Sequence, residues 1–195
     1  MTYEQFYGND YKKLKDAQNT LRSMIQKLQA DTDPNEDLQP IVYCCSRIKK
    51  PDSMMRKLET RGFPPTAGSA LTNVYDAVGI RIICSFASDV FNIVEKLEKE
   101  PLIEILEKKD YLSHPKPNGY RSIHLCIRLR DTGIPAEIQI RTIAMDFWAT
   151  LEHQLKYKKN IANETLIKSE LKRCADEIAS VDLSMQTIRE IIKEL

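Results

Sequence analysis

The stretch Asp110–Arg141, DYLSHPKPNGYRSIHLCIRLRDTGIPAEIQIR, decides how the rest of the chain is read. Two of its segments, SIHLCIRL and AEIQI, show the period of two that marks a strand, and Asp131-Thr132-Gly133 between them suits a hairpin turn. On such a pleat Glu137, Gln139 and Arg141 share one face, and Ile138 and Ile140 the other. A polar row of this kind is either wetted surface or a site. Upstream, Pro115, Pro117, Asn118 and Gly119 break regular structure and leave Lys116, Tyr120 and Arg121 on a stiff, exposed loop. A tyrosine beside two cations suits an aromatic base that carries a phosphate tail.

Outward from this hairpin, three more apolar runs read as strands: Ile41–Cys45, Val74–Phe86 (interrupted by Asp76 and Arg81) and Leu102–Leu106. Helical spacing covers Tyr7–Leu28, with a stop at Asp31–Pro34. A second helix follows Pro51, capped by Asp52, carrying Met54, Met55 and Leu58 inward and ending at Gly62. Residues 64–70 read as a loop, and Ser88 caps a helix that runs to Glu98. In AMDFWATLEHQLKYK the spacing buries Trp148, Leu151 and Leu155 and exposes Asp146, His153 and Lys156. From Asn163 a seam of Ile167, Leu171, Cys174, Ile178, Val181, Met185, Ile188, Ile192 and Leu195 marks a long helix that packs on another helix. The fold class expected is α+β: a mixed sheet of five strands flanked by helices, with a helical segment over 1–40, a central domain over 41–158 and a C-terminal helix over 159–195.

Composition narrows the function. The 195 residues suffice for one well-buried domain with a helical appendage. With 29 basic against 28 acidic residues, a general charge-driven grip on long nucleic acid is not expected, and nothing indicates RNA. Cys44, Cys45, Cys84, Cys126 and Cys174 show no C-x-x-C spacing and read, for the most part, as buried thiols of a reducing compartment. Neither a signal peptide nor a membrane span of roughly 20 apolar residues is present, so a soluble cytoplasmic protein is expected.

The chemistry follows from where charge is placed. Asp76 lies at the mouth of an apolar strand, where a carboxylate is costly unless paired or metal-bound. Strand pairing can bring it to one sheet edge with Glu137, and two such carboxylates suit a hard cation, Mg2+, carried in on phosphates. The chain lacks G-x-x-x-x-G-K-[ST], so side chains must neutralise phosphates; Arg47, Lys49, Ser53, Lys57 and Arg81 meet that need.

At these residues the sequence resembles the synthetase domain of the RelA/SpoT family, most closely its single-domain small alarmone synthetases. The matching pieces are SRIKKPDSMMRKL, DAVGIRIICSF, DYLSHPKPNGYRSIHL, AEIQIRT and AMDFWATLEHQLKYK, in order over most of residues 44–158. The resemblance implies a nucleotidyltransferase-related sheet and transfer of pyrophosphate from ATP to the ribose 3′ hydroxyl of GDP or GTP, giving ppGpp or pppGpp and AMP. It implies that Arg47 and Arg81 sandwich adenine, that Lys49, Ser53 and Lys57 hold the donor phosphates, and that Asp76 and Glu137 bind Mg2+. Glu137 becomes the candidate general base, a task that calls for a raised pKa. Tyr120 would stack on guanine, Lys116 and Arg121 would meet the acceptor phosphates near His124, and Gln139 and Asp146 complete the acceptor side, Asp146 as a reader of guanine.

None of His114, His124 and His153 precedes an aspartate, so the metal phosphohydrolase pair of the family's long members is not expected, and the chain should synthesise rather than degrade. The link RLRDTGIP is shorter than in many small relatives, which bears on the shape of the acceptor side. The C-terminal seam has two readings: the helix folds back onto its own domain, against the N-terminal stripe, or, as in related small synthetases, it supports a homo-oligomer, in the first instance a tetramer. Two other readings stay open: an adenosine nucleotide or a tRNA 3′ end as acceptor, and a silent nucleotide or RNA-binding module, which the retained carboxylate pair argues against.

Overall fold

The hairpin turn read at Asp131-Thr132-Gly133 is closed by Gly133 N–H donating to the Leu129 carbonyl at 2.8 Å, with Gly133 at φ +69°. Around it the structure, a computed structural model, describes residues 1–30, 39–156 and 163–194. In chain order these form α1 (Tyr3–Tyr7), α2 (Asp10–Ala30), β1 (Ile41–Ile48), α3 (Pro51–Thr60), α4 (Ala67–Thr72), β2 (Val78–Cys84), α5 (Ala87–Glu98), β3 (Ile103–Asp110), β4 (Ile123–Leu129), β5 (Pro135–Thr142), α6 (Ile143–Lys156) and α7 (Glu164–Glu194). The five strands make one mixed sheet in the order β1-β2-β5-β4-β3, parallel only between β2 and β5. This is the α+β class that the sequence indicated.

Strand periodicity divides the sheet into a core face and a site face. Ile80, Ile82, Ile138, Ile140 and Leu125 join one apolar cluster with Leu14 and Leu21 of α2 and Val90 and Ile93 of α5. Each such side chain withdrawn from water contributes roughly 1.5–3 kcal/mol. The intervening residues face the other way, and the register lines them up in rows. One row runs Arg47, Gly79, Glu137, Cys126; the next runs Cys45, Arg81, Gln139, His124.

Several local readings are corrected. The first helix is two, α1 and α2, parted at Gly8 with φ +55°. Residues 64–70 are not all loop: the Thr66 hydroxyl accepts from Ser69 N–H at 3.2 Å and starts α4. Asp52 does not cap α3; Lys50 holds the cap position, Pro51 opens the helix and Asp52 sits in its first turn. Ser88 does not cap α5, since Phe86 holds that position and its N–H donates to Asp89 at 3.1 Å. β1 runs on to Ile48, so Arg47 is a strand residue, and Asp76 lies just ahead of β2. Cys44 and Cys45 are exposed on edge strand β1, whereas Cys84 and Cys126 are buried.

The two last helices present unexpected faces. Trp148 is buried and its Nε1 donates to the Leu171 carbonyl at 2.9 Å, but Leu151 and Leu155 are exposed and Asp146 is buried. The cause is the crossing of α6 over the sheet, which turns Asp146 toward arginines of β2 and β5. On α7 the first part of the seam, Ile167, Leu171, Cys174 and Ile178, is half-buried, while Val181, Met185, Ile188 and Ile192 are exposed. The inward face of the later turns is Asp182, Gln186 and Arg189 instead. A residue pattern stepping by seven drifts around a straight helix of 3.6 residues per turn, so one seam serves two surfaces. The helix stop at Asp31–Pro34, Tyr157 and Lys158, and Leu195 lie outside the described residues.

Candidate active site

On the site face, a cleft of about 180 Å³ is lined by Arg47, Asp76, Gly79, Arg81, Glu137 and Gln139, among others. β1 supplies Arg47, β2 Arg81 and β5 the Glu137/Gln139 row, so three adjacent strands build it. Gly79, with no side chain, leaves the space between Arg47 and Glu137 open in their shared row.

Asp76 is gripped by two lysines: Lys49 Nζ at 2.7 Å and Lys57 Nζ at 2.6 Å, both on Oδ2. Burial pushes its carboxyl up, but the two ammonium groups outweigh that and hold it below the usual aspartate range. Its other oxygen, Oδ1, is buried without a hydrogen-bond partner. An orphan carboxylate oxygen beside a cleft shared with Glu137 fits a cation. Among the described residues no group of three or more His, Cys, Asp and Glu could hold a metal. A cation here would therefore take two carboxylates and complete its shell from water and phosphate oxygens, the habit of Mg2+.

Glu137 is held from two sides, by His124 Nδ1 at 3.3 Å and by Gln139 Nε2 donating at 2.8 Å. Burial raises its pKa; the His124 hydrogen bond and charge, with Gln139 and Lys57, overcome this and hold it at about 2. The raised pKa expected of a general base is thus not found. An ionised carboxylate only accepts, so His124 Nδ1 donates to Glu137, and on the far side of the ring Nε2 lies 2.8 Å from the Tyr120 hydroxyl. Tyr120 is half-buried rather than fully exposed, with Lys116 Nζ 4.9 Å from its ring centroid and the Arg141 guanidinium 5.6 Å away. Gln139 in turn accepts from Arg141 Nη2 at 2.6 Å.

A region found in RelA/SpoT proteins matches residues 46–162. The chain belongs to the RelA/SpoT family. It is 42% identical over 157 residues, 77% of this chain and 75% of the relative, to GTP pyrophosphokinase YwaC of Bacillus subtilis. Among solved structures, small alarmone synthetase 1 from Bacillus subtilis bound to its product pppGpp superposes with a TM-score of 0.82 at 29% identity, over 92% of this chain and 94% of that one. Small alarmone synthetase 2 from the same organism gives 0.82 at 35% identity, over 94% and 98%.

Within this RelA/SpoT frame the structure brings together most of the residues singled out from sequence. Arg47, Asp76, Arg81, Glu137 and Gln139 share the cleft, Lys49 and Lys57 hold Asp76, and Ser53 lies half-buried one turn before Lys57 on α3. Lys116, Tyr120 and His124 adjoin through Tyr120. Two residues are engaged elsewhere. Arg121 pairs with Asp176 of α7 at 3.5 Å. Both oxygens of Asp146, expected to read guanine, are occupied: Oδ2 by the Tyr43 hydroxyl at 2.5 Å, Oδ1 by Arg81 at 3.2 Å and Arg141 at 3.6 Å.

Tyr43 and Arg141 are the site-face residues that the sequence reading left without a role. Arg141 is buried, bonds Gln139 and adjoins Asp146. It stood in the same period-two row as Glu137 and Gln139, which was the available signal. Asn118 was read only as a breaker, yet its Nδ2 donates to Glu152 of α6 at 3.0 Å and ties the loop down.

Proposed function

We propose that the chain is a GTP/GDP pyrophosphokinase that transfers the β,γ-pyrophosphate of ATP to the ribose 3′ hydroxyl of GDP or GTP, giving ppGpp or pppGpp and AMP. The observation that carries this reading is one cleft lined by Arg47, Arg81, Asp76, with an unpartnered oxygen, and Glu137, the last of these joined through His124 to Tyr120. The relatives named for this reaction support it.

In this reading, Arg47 and Arg81 flank the adenine as planar guanidinium groups do. Lys49 and Lys57 leave Asp76 in part to neutralise the donor phosphates, with Ser53 adding a hydroxyl from the same helix face. Asp76 and Glu137 would hold Mg2+, and the ion when bound would supply charge neutralisation at the transferring group. Tyr120 stacks on guanine, and Lys116 stands near it for the acceptor phosphates. The 3′ oxygen forms its bond to the β-phosphorus while the bond from that phosphorus to the α,β-bridging oxygen breaks, and AMP departs with that oxygen. Glu137 accepts the hydrogen bond of the 3′ hydroxyl, aligns it, and takes its proton late, as the new P–O bond forms, before releasing it to solvent. In a loose phosphoryl-transfer transition state, alignment matters more than early deprotonation, which reconciles the role with a low pKa.

The exposed apolar turns of α7 support self-association, with a tetramer as the proposed form. Among the described residues no helix is long and apolar enough to cross a membrane, and a cytoplasmic enzyme is the reading adopted. The test is incubation of the protein with γ-labelled ATP and Mg2+ plus GDP, GTP, ATP or tRNA in turn. Label in guanosine tetra- or pentaphosphate supports the reading; label in tRNA or an adenosine product, or none, overturns it.

A further inference from the structure

The edge strand β1 contains one irregularity, and it lies beside the site. Ile41 pairs with Cys84 but Tyr43 pairs with Ile83, so Val42 is an extra residue in the ladder, a β-bulge. In a regular strand Ile41 and Tyr43 would point to the same face. Instead Ile41 is buried in the apolar core, while the Tyr43 hydroxyl reaches Asp146 on the opposite, site face. The bulge therefore lets one short strand bury its first residue and still deliver Tyr43, Cys45 and Arg47 to the site.

What Tyr43 reaches is the carboxylate that fixes an arginine of the cleft. Its hydroxyl donates to Asp146 Oδ2 at 2.5 Å, and Asp146 Oδ1 accepts from Arg81 Nη1 at 3.2 Å. Asp146 has two cationic neighbours, since Arg141 Nη1 lies 3.6 Å from the same Oδ1. Arg141 is fully enclosed, whereas the Arg81 side chain is 33% exposed and lines the cleft. Of the two, Arg81 is the one free to move if the carboxylate turns. A buried carboxylate that loses its hydroxyl donor leaves an acceptor oxygen unsatisfied, and rotation about its side chain is the cheapest remedy.

We propose that Tyr43 is a positioning residue for the donor nucleotide: its hydroxyl locks Asp146, and Asp146 locks the Arg81 guanidinium in the plane on which the donor base lies. This rests on the pyrophosphokinase reading and deepens it. It assigns Asp146 to organising the donor side, in place of reading guanine. Tyr43 itself is 45% exposed, so its role is not to fill the core.

The test compares wild type, Tyr43→Phe, Arg81→Ala and the double variant, measuring KM for ATP and for GDP separately and the affinity of a non-hydrolysable ATP analogue by calorimetry. Tyr43→Phe keeps the ring and removes only the hydroxyl. The result expected is a rise of about fivefold in the ATP KM and a matching loss of analogue affinity, with the GDP KM unchanged and the melting temperature lowered by at most a few degrees. In the Arg81→Ala background the same substitution should add less than about twofold, because the residue acts through Arg81. An unchanged ATP KM in Tyr43→Phe, an equal rise for GDP, or full multiplicative effects in the double variant would overturn the proposal. A wild-type protein that makes no guanosine polyphosphate would instead sink the underlying reading, and the analogue affinities would still decide whether Tyr43 governs the adenine side.

Discussion

Glu137 and His124 face each other diagonally across the β5–β4 pair, with His124 Nδ1 3.3 Å from Glu137 Oε1. The contact fixes which ring nitrogen holds the proton and keeps the carboxylate ionised. It also links the loop tyrosine to the Glu137–Gln139 row, because the far side of the same ring meets Tyr120 at 2.8 Å.

The Glu137 pKa of about 2, against an ordinary 4.5, has a consequence for stability. A carboxylate whose folded pKa is depressed stabilises the fold fully above its unfolded pKa and loses that contribution as the pH falls through the folded value. The contribution from Glu137 is on the order of 3 kcal/mol, and it should disappear between about pH 4.5 and pH 2. Denaturant unfolding measured across that range should show a steeper loss of stability on acidification for wild type than for Glu137→Gln. Equal slopes would mean that the native carboxylate is not held ionised in this way.

Gly119 stands at φ +87°, and a Cβ placed there would come 2.4 Å from the Ala175 Cβ of α7. Both backbone strain and collision oppose any side chain. Gly119→Ala should push the loop off α7, displace Tyr120 and raise the KM for the guanine nucleotide severalfold while sparing that for ATP. Combining it with Ala175→Gly removes the collision but not the strain, so recovery should be partial. A single variant with wild-type constants would show that the loop position is irrelevant to the acceptor.

Removing the ring itself asks a different question. Tyr120→Ala deletes a stacking surface worth about 1–3 kcal/mol per base, so the KM for GDP or GTP should rise roughly tenfold or more, far above any change for ATP. Parallel rises for both nucleotides would place the ring outside the acceptor site.

The outer turns of α7 expose Val181, Met185, Ile188 and Ile192, and such a contiguous apolar face is uncommon on a monomer. Light scattering at micromolar concentration should give a multiple of the chain mass for wild type, and Val181→Asp with Ile188→Asp should reduce it to the monomer. A monomeric wild type would remove the assembly proposal.

What was legible in the sequence follows its periods. Strand alternation located the Glu137, Gln139 and Arg141 row and the core face opposite, since a pleat leaves no other choice. Helix faces were less legible: Leu151 and Leu155 have the spacing of buried residues, but the buried side of α6 is set by Asp146 reaching Arg81 and by Trp148 reaching Leu171, contacts between distant parts of the chain. The bulge at Val42 has no local signal either, so Tyr43 could not be aimed from sequence. The low Glu137 pKa likewise depends on His124 being brought beside it from the neighbouring strand. Charge type could be read along the chain; charge balance required the fold.

The most direct test of the account is product labelling from γ-labelled ATP, Mg2+ and GDP by wild type, Asp76→Asn and Glu137→Gln, with circular dichroism as a check on folding. Wild type should form labelled ppGpp, and each variant should lose about a hundredfold or more in rate while still melting cooperatively. Variants that retain wild-type rates, or a wild type whose label goes only to inorganic phosphate, would contradict it.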